Sequence, residues 1–321
     1  MQYQKNIEKI VSLISKIWSP PPELTVSEWS DKNRVLSPES SSEAGIWRTS
    51  RAPYQQGIMD AVNDHKIDTI VFMKSAQVGA TEILNNIVAY YIDQDPSPIL
   101  VLQPTLQMAQ AWSKDRLANM IRDCDALRKK VKDPRSKDSS NTVLSKQFPG
   151  GNINIVGSNS AAGLASRPIR ILLCDEVDRY EASAGTEGDP ISLATKRTTT
   201  FWNRKIFITS TPTIKGISRI EKAFEDSDQR HYHVPCPHCA EYQTLEWEYL
   251  KWEEGKPETA EYHCKFCEKV IPEESKQSIL NKGVWVAKED TKKSAGFHIS
   301  ELYSPWSCLL YTSDAADDLL C

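Results

Sequence analysis

The stretch from Asp68 to Glu82 constrains the possible fold of this chain more than any other stretch does. It opens with a β-branched and aromatic run, Thr69 to Met73, which is typical of a buried strand. A loop of small residues follows, and apolar residues then recur at helical spacing from Ile83 to Tyr91. A strand, a tight loop and a helix N-terminus aim backbone N–H groups and the helix dipole at one point. The stretch therefore predicts a phosphate-binding site.

The loop keeps half of the P-loop pattern G-x-x-x-x-G-K-[ST]. Gly79 stands at the last glycine of the pattern, and Thr81 stands where the pattern places a hydroxyl that binds Mg²⁺. Lys74 replaces the first glycine, and Ala80 replaces the lysine. From this stretch alone, an ordinary strand–turn–helix is an open alternative.

A second strand ends in two adjacent carboxylates. The run from Ile169 to Cys174 is mostly apolar, and Asp175 and Glu176 follow it directly. Two neighbouring acids are costly to place together unless a cation or a proton transfer uses them. In P-loop ATPases the first acid holds Mg²⁺ and the second polarises the attacking water. The two motifs together predict ATP hydrolysis, with Asp175 on Mg²⁺ and Glu176 as the catalytic residue that polarises the attacking water.

The repeated strands predict the fold class. Further buried strands are expected at 97–102, 153–156 and 205–209, with helical patterns between them. Such alternation predicts a doubly wound, mostly parallel α/β sheet of the RecA or helicase-like P-loop NTPase kind. The strand at 205–209 ends in Ser210 and Thr211, a hydroxyl pair that can sense a γ-phosphate and couple its presence to the rest of the chain.

Composition restricts the setting in which the chain works. With 321 residues and a net charge of −4, it has room for one large α/β domain and a smaller module. No stretch approaches the ~20 apolar residues of a membrane span, and no signal peptide is recognisable, so we expect no membrane partner. Four of the eight cysteines form two CxxC pairs, which indicates a reducing compartment and a metal.

The two CxxC pairs predict a Cys₄ site of the zinc-ribbon kind. Their members are Cys236, Cys239, Cys264 and Cys267. Two complete CxxC pairs at this separation supply all four thiolates of a tetrahedral Zn²⁺ site and leave no open position. The expected metal is therefore structural, and a redox or disulfide pair is the alternative.

Three further features carry weaker signals. Tyr54-Gln55 precedes the phosphate loop, where such a pair can stack on adenine and read its edge; a surface loop is the alternative. Arg167 is a candidate arginine finger, with a simple ion pair as the alternative. Residues 114–146 hold ten Lys/Arg against five Asp, which suggests a surface for DNA phosphates or a solvated face.

With these motifs in hand, the chain resembles the large terminase subunit of tailed bacteriophages, the lambda-type GpA family, over roughly residues 25–306. The resemblance rests on these blocks, together with the CxxC pairs: residues 53–55, 71–79, 99–105, 113–116, 163–170, 174–180, 196–205, 210–216 and 296–306. It implies an ATP-driven motor that threads viral double-stranded DNA into a procapsid. It also implies a homo-oligomeric ring, a small terminase subunit and a portal protein as partners, and a location in the host cytoplasm with transient docking on the procapsid. Within the loop, Lys74, Ser75, Gln77, Gly79 and Thr81 would contact ATP and Mg²⁺.

The chain departs from the family in two respects. Members often carry lysine at the position of Ala80, whereas others rely on a lysine at the start of the loop, so phosphate neutralisation is assigned to Lys74. The family also continues into a metal-dependent nuclease domain, which we expect to be missing here. A helicase-like DNA translocase and a non-catalytic, zinc-stabilised DNA-binding subunit are the alternative functions.

The expected domain division follows from these assignments. Residues 1–50 would form an N-terminal helix and arm, 51–230 the P-loop ATPase domain and 231–285 the zinc-binding module. Residues 286–306 would begin a linker to the nuclease domain, and 307–321, which resemble nothing before them, would be a non-native tail.

Overall fold

The structure is a computed structural model that describes residues 23–132, 141–165, 167–253, 256–290 and 293–306. The amphipathic pattern near the N-terminus and the expected tail at 307–321 lie outside these ranges. Among the described helices, none has the length and apolar character needed to cross a membrane.

The described residues form strands and helices in alternation along much of the chain. The strands are β1 (Val35–Leu36), β2 (Gly45–Ile46), β3 (Thr69–Lys74), β4 (Pro98–Gln103), β5 (Ser145–Phe148), β6 (Gly151–Gly157), β7 (Ile171–Asp175), β8 (Lys205–Ser210), β9 (Arg230–Pro235), β10 (Tyr242–Gln243), β11 (Leu250–Glu253), β12 (Lys256–His263), β13 (Val270–Ile271), β14 (Val284–Val286) and β15 (Ser294–Ile299). The helices are α1 (Val26–Asn33), α2 (Tyr54–Asp60), α3 (Ala80–Asp93), α4 (Leu106–Trp112), α5 (Ala118–Asp123), α6 (Asp125–Arg128), α7 (Ala161–Ala165), α8 (Pro190–Lys196), α9 (Arg219–Glu225) and α10 (Lys276–Asn281).

A large, mostly parallel sheet forms the centre of the molecule, as the sequence predicts. Its strands run in the order β10-β9-β15-β3-β8-β7-β4-β6-β5, and β14 also pairs with β9. Every neighbouring pair from β9 to β6 is parallel, while β5, β10 and β14 pair antiparallel. A separate three-stranded antiparallel sheet, β11-β12-β13, lies in the cysteine-containing part of the chain.

Both faces of the central strands are buried, which explains their nearly continuous apolar sequences. Successive side chains of a strand point to opposite faces. Accordingly, Ile70 and Phe72 of β3 join one core cluster and Val71 joins the other. Helix α3 covers the first face with its apolar stripe, which includes Ile83 and Ile87. This packing fixes the helix that follows the loop at residues 75–79 against the sheet.

The structure divides the chain differently from the expected domain boundaries. The predicted linker at 286–306 contains β15, which lies between β9 and β3 and pairs in parallel with both. Strand β9, expected in the metal module, also belongs to the central sheet. These strands pair across more than 60 residues of sequence, so a local pattern could not place them. Among the described residues, the segment from Cys236 to Ile271 forms a cysteine-containing module with its own three-stranded sheet, and its strand β10 pairs with β9 of the central sheet.

Candidate nucleotide and metal sites

The loop between β3 and α3 has a tightly specified backbone. Ser75 N–H donates to Ile299 O of the neighbouring β15 at 3.1 Å. Gln77 has a φ of 57°, and Gly79 has a φ of 79° at the position that precedes α3. A Cβ at Gly79 would collide with the side-chain amide nitrogen of Gln55. Glycine is therefore required there for its left-handed backbone and for space.

Side chains from distant parts of the sequence hold the carbonyl groups of this loop. Tyr54 Oη and Gln55 Nε2 each donate to Val78 O at 3.1 Å, and Ser304 Oγ donates to Gln77 O at 2.9 Å. The first N–H groups of α3 have no partner within the helix, as at every helix N-terminus. These hydrogen bonds to its carbonyl groups fix the loop beside the N-terminus of α3, and a helix N-terminus favours anions.

The adenine-stacking role expected for Tyr54 is wrong in this structure. Tyr54 is fully buried, with its ring edge-on to Tyr232, so neither face of the ring is available to a base. Tyr54 and Gln55 instead support the loop through their hydrogen bonds to Val78 O. Gln55 is also buried, but it lines the cleft beside the loop, and its Oε1 makes no hydrogen bond within the described residues.

The ends of three adjacent strands bring the predicted charged residues together. The strands β3, β8 and β7 lie side by side in this order. Lys74 is the last residue of β3, Thr211 follows β8, and Glu176 follows β7. Lys74 Nζ donates to Glu176 Oε1 at 2.6 Å and to Thr211 Oγ1 at 3.1 Å. Carboxyl ends of parallel strands are the usual ligand-binding edge of such sheets.

Asp175 lies beside this pair in a buried position. Gln103 Nε2, at the end of β4, donates to Asp175 Oδ2 at 3.1 Å. Burial raises the pKa of Asp175 to about 6, and the neighbouring Glu176 carboxylate adds to this rise. A buried carboxylate with a raised pKa is one whose charge a cation would stabilise.

The two hydroxyls predicted to sense phosphate occupy different positions. Thr211 contacts Lys74 directly, whereas buried Ser210 accepts from Asp178 N–H at 3.2 Å. Asp178 Oδ2 accepts from Thr213 N–H at 3.0 Å, and its Oδ1 accepts from Ile220 N–H at 2.9 Å. The turn after the acid pair is therefore tied to the loop that follows β8.

A cleft of about 470 Å³ opens beside the loop between β3 and α3. Its lining residues include Gln55, Lys74, Gln77, Gly79 and Thr81. It also includes residues that the sequence did not assign to the nucleotide site: Leu36, Ser40, Ser41, Ser42, Glu43, Trp47, Arg116 and Trp306. These residues reach the cleft through the packing of three separate parts of the chain: the N-terminal arm, the helical segment that carries Arg116, and the last described segment.

The arm is held at the cleft by a buried ion pair at the start of α3. Arg34 Nη2 lies 2.7 Å from Glu82 Oε2, and the Arg34 side chain is 4% exposed. Arg116 Nη1 lies 3.8 Å from Glu82 Oε1 and donates to Ser40 O. Glu82 therefore links the arm, the helix after the loop and the segment that carries Arg116.

Arg167 lies away from this site. Its guanidinium is exposed and donates to Asn154 Oδ1 at 3.2 Å, in the middle of β6. Strand β6 is four strands from β3, which corresponds to about 19 Å at the usual strand spacing. The position does not support the expectation that Arg167 reaches a phosphate bound by its own chain.

The predicted basic surface contains many internally paired cations. Arg122, Arg128 and Lys130 each form an ion pair with an acid of the same chain. Lys146 is buried, and burial lowers its pKa. Residues 133–140 lie outside the described ranges. A DNA-binding role for this segment stays a prediction.

The four cysteines of the CxxC pairs come together as the sequence predicts. Their Sγ atoms all lie within 4.8 Å of one another, and the Cys236–Cys267 and Cys239–Cys264 pairs are each 3.8 Å apart. A tetrahedron of thiolates around Zn²⁺ at 2.3 Å has edges of about 3.8 Å. The cluster therefore has the dimensions of a Cys₄ metal site, whereas a disulfide needs sulfurs about 2 Å apart.

A family model described as the ATPase domain of the phage terminase large subunit gpA matches residues 41–285. The terminase large subunit of Enterobacteria phage P21 is 33% identical over 313 residues, covering 89% of this chain and 48% of that protein. The terminase large subunit of Escherichia phage lambda is 28% identical over 320 residues, covering 92% of this chain and 49% of that protein.

The chain thus spans about half the length of these curated relatives. Among solved structures, the HK97 bacteriophage large terminase matches with a TM-score of 0.50 at 13% identity, over 63% of this chain and 41% of that one. At that identity, the likeness is one of fold alone.

Proposed function

This chain belongs to the family of phage terminase large subunits of the gpA kind, which it matches through their ATPase domain, and we propose that it hydrolyses ATP to drive viral double-stranded DNA into procapsids. The observation that carries this proposal is the convergence of Lys74, Asp175 and Glu176 beside the phosphate loop. A helicase-like translocase would share this chemistry. A non-catalytic DNA-binding subunit would not need it.

In the proposed site, Lys74 neutralises the charge of the terminal phosphates. Its Nζ is held at the strand ends by Glu176 and Thr211, and its side chain is 10% exposed. Ser75, Gln77 and Gly79 shape the loop around the phosphates, with the N-terminus of α3 behind them. Lys74 thereby supplies the cation that Ala80 cannot.

The residues present fit a magnesium ion. The buried Asp175 carboxylate has its pKa raised by burial, and Thr81 lies in the first turn of α3 in the same cleft as Lys74. Carboxylate and hydroxyl oxygens are suitable Mg²⁺ ligands. When bound, Mg²⁺ would offset the negative charge that develops on the transferred phosphate. Asp175 and Thr81 are the residues proposed to hold it.

Glu176 is proposed to orient and deprotonate the attacking water. Its Oε1 accepts from Lys74, while its Oε2 is buried, makes no hydrogen bond within the described residues and has Arg179 Nε 3.8 Å away. Its φ of 53° holds the carboxylate at a strained turn, which the Ser210 contact to Asp178 supports. Thr211 and Ser210 then couple the state of the site to the loop after β8.

We propose zinc for the Cys₄ cluster. The 3.8 Å sulfur separations match tetrahedral thiolate coordination, and the set leaves no open position for chemistry. When bound, the metal would supply folding free energy to the module and take no part in hydrolysis.

The proposed partners follow from family membership. They are double-stranded viral DNA, a small terminase subunit and a portal protein, met by a ring of these chains in the host cytoplasm and on the procapsid. The names of the curated relatives say only that they are terminase large subunits. We propose no nuclease activity for the described residues, because the adjacent acids Asp175 and Glu176 are assigned to ATP hydrolysis.

Two substitutions test the ATPase proposal. Glu176→Gln should keep ATP affinity within about threefold of wild type yet lower kcat by roughly 10²–10⁴, because only proton abstraction is lost. Lys74→Ala should lower both kcat and ATP affinity, because a phosphate charge is no longer offset. DNA-stimulated ATP hydrolysis and calorimetric ATP binding measure the two effects. Lys282→Ala, which removes an exposed lysine elsewhere, is the matched control.

An equal loss of ATP affinity in both variants would contradict the separate roles. Wild-type protein that binds ATP without hydrolysing it, with or without DNA, would favour the non-catalytic alternative.

A further inference from the structure

The cleft beside the phosphate loop has one aromatic wall with an exposed face among its described lining residues. Trp306 is 40% exposed, and its ring atom Cη2 lies 3.4 Å from the point where a Cβ on Gly79 would be. The indole thus packs over the loop glycine. Trp47 also lines the cleft but is 6% exposed, with its indole N–H donated to Thr49 Oγ1.

Trp306 is held in this position through the same segment that supports the loop. Ser304 Oγ accepts from Trp306 N–H at 3.3 Å and donates to Gln77 O at 2.9 Å. Arg51 Nη2 reaches Pro305 O at 3.5 Å and pairs with Glu43 at 2.8 Å. The pKa of Glu43 is lowered by Arg51 first, and the Trp306 indole contributes to the lowering. The ring is therefore fixed at the rim of the cleft.

A second feature of the cleft also points to a ligand. Gln55 is 1% exposed, and its Nε2 is used by Val78 O, but its Oε1 makes no hydrogen bond within the described residues. A buried acceptor without a donor destabilises the folded chain. Because Gln55 lines the cleft, a turn of its amide would bring the covered Oε1 to a ligand N–H group and give it a donor.

We propose that Trp306 stacks on the base of the bound nucleotide, while Gln55 keeps the base-edge role expected of the Tyr-Gln pair, with its Oε1 accepting from an exocyclic amine of that base. The inference rests on the proposed function, and it moves the stacking role from Tyr54 to the far end of the described chain. An adenine offers such an amine on its Watson–Crick edge, whereas a guanine or hypoxanthine presents a carbonyl at the corresponding ring position. Trp306 thus supplies affinity, and Gln55 supplies discrimination among purines.

The size of the effect follows from stacking energies. Stacking of a base on an aromatic side chain changes affinity about 5- to 150-fold when the side chain is replaced by alanine. A ligand without a base cannot lose this contribution. Inorganic tripolyphosphate, which keeps the three phosphates of ATP, therefore separates contact with the base from support of the loop.

The experiment titrates the full 321-residue chain with Mg²⁺–ATP, Mg²⁺–ITP and Mg²⁺–tripolyphosphate by calorimetry. Trp306→Ala should weaken ATP binding by about 5- to 150-fold and change tripolyphosphate binding less than twofold. Trp306→Phe should recover most of the ATP affinity, because a phenyl ring still stacks. Trp202→Ala, which removes an 85% exposed tryptophan outside the cleft, should bind both ligands as wild type does. Circular dichroism of each variant checks that it is folded.

The base contact would be overturned by an equal loss of ATP and tripolyphosphate affinity in Trp306→Ala, which would mean that the ring only supports the loop. An unchanged ATP affinity would also overturn it. Equal wild-type affinities for ATP and ITP would remove the role of Gln55 Oε1. Failure of the proposed function looks different, because wild-type protein would then bind ATP with the same dependence on Trp306 but would not hydrolyse it, with or without DNA.

Discussion

Asp175→Asn should stabilise the folded chain while abolishing its proposed hydrolysis. Burial raises the pKa of Asp175 from 3.8 to about 6, so the folded state resists ionisation of this carboxyl. A carboxyl with a raised pKa binds its proton more tightly when folded than when unfolded. Ionisation of Asp175 therefore destabilises the folded chain, and this destabilisation is absent below pH 4 and fully present above about pH 6.

The structure sets the size of this cost. A rise of about two pKa units corresponds to about 3 kcal/mol at neutral pH, at 1.36 kcal/mol per unit. Asparagine keeps the shape of the side chain and an oxygen that can accept from Gln103 Nε2, but it cannot ionise. At about 2 °C per kcal/mol for a chain of this size, the melting temperature should rise by up to about 6 °C at pH 7.5.

The assay is thermal unfolding of wild type and variant from pH 4 to pH 8 in the presence of a magnesium chelator. The gain in melting temperature should grow from near zero at pH 4 to its full value above pH 6. Glu274→Gln, which neutralises an exposed acid in the described region, should show no such growth. In parallel samples without chelator, Mg²⁺–ATP at pH 7.5 should raise the melting temperature of wild type more than that of Asp175→Asn.

A gain that does not depend on pH, or a loss of stability at pH 7.5, would refute the reasoning. Either result would mean that the Asp175 carboxylate is already compensated in the folded chain. The burial of Asp175 would then give no support to the proposal that this residue binds Mg²⁺.

Two further predictions concern the metal and the loop. The wild-type chain should carry about one zinc ion, Cys236→Ser should lose it, and hydrogen exchange should show the module opening before the central sheet. Metal analysis that finds no zinc in protein purified without chelator would end that proposal. Ala80→Lys should change kcat only a fewfold in steady-state kinetics, because Lys74 already supplies the phosphate cation. A rise of several orders of magnitude would show that Lys74 does not fill that role.

The parts of the fold that the sequence predicted are those with local signatures. Strand β3, its loop and α3 are contiguous, and the Asp175–Glu176 pair ends a strand whose apolar run is visible on its own. The convergence of these pieces follows from the rule that parallel strands share a carboxyl edge. The cysteine cluster was likewise predicted from spacing, because two CxxC pairs hold their ligands whatever the intervening fold.

The parts that the sequence did not predict depend on long-range pairing and burial. Strand β15 joins β3 across more than 200 residues, so its segment looked like a linker. Tyr54 has the right position in the sequence for stacking, but burial is a property of the packed chain, and packing places its ring behind the loop. No local sequence pattern indicates where the Arg167 side chain points, and in the structure it donates to Asn154 of β6.

The pairing of β15 with β3 has a mechanical consequence at the phosphate loop. Directly after β15, Tyr303 Oη accepts from Leu245 N–H and donates to Tyr232 O, both at 2.6 Å, and the next residue, Ser304, donates to Gln77 O. Two adjacent side chains therefore connect the cysteine-containing module, the central sheet and the loop. On the zinc proposal, metal binding would stabilise the module that holds Tyr303, and opening of that module would release one support of the loop. The metal would then act on the nucleotide site through packing, without contacting it.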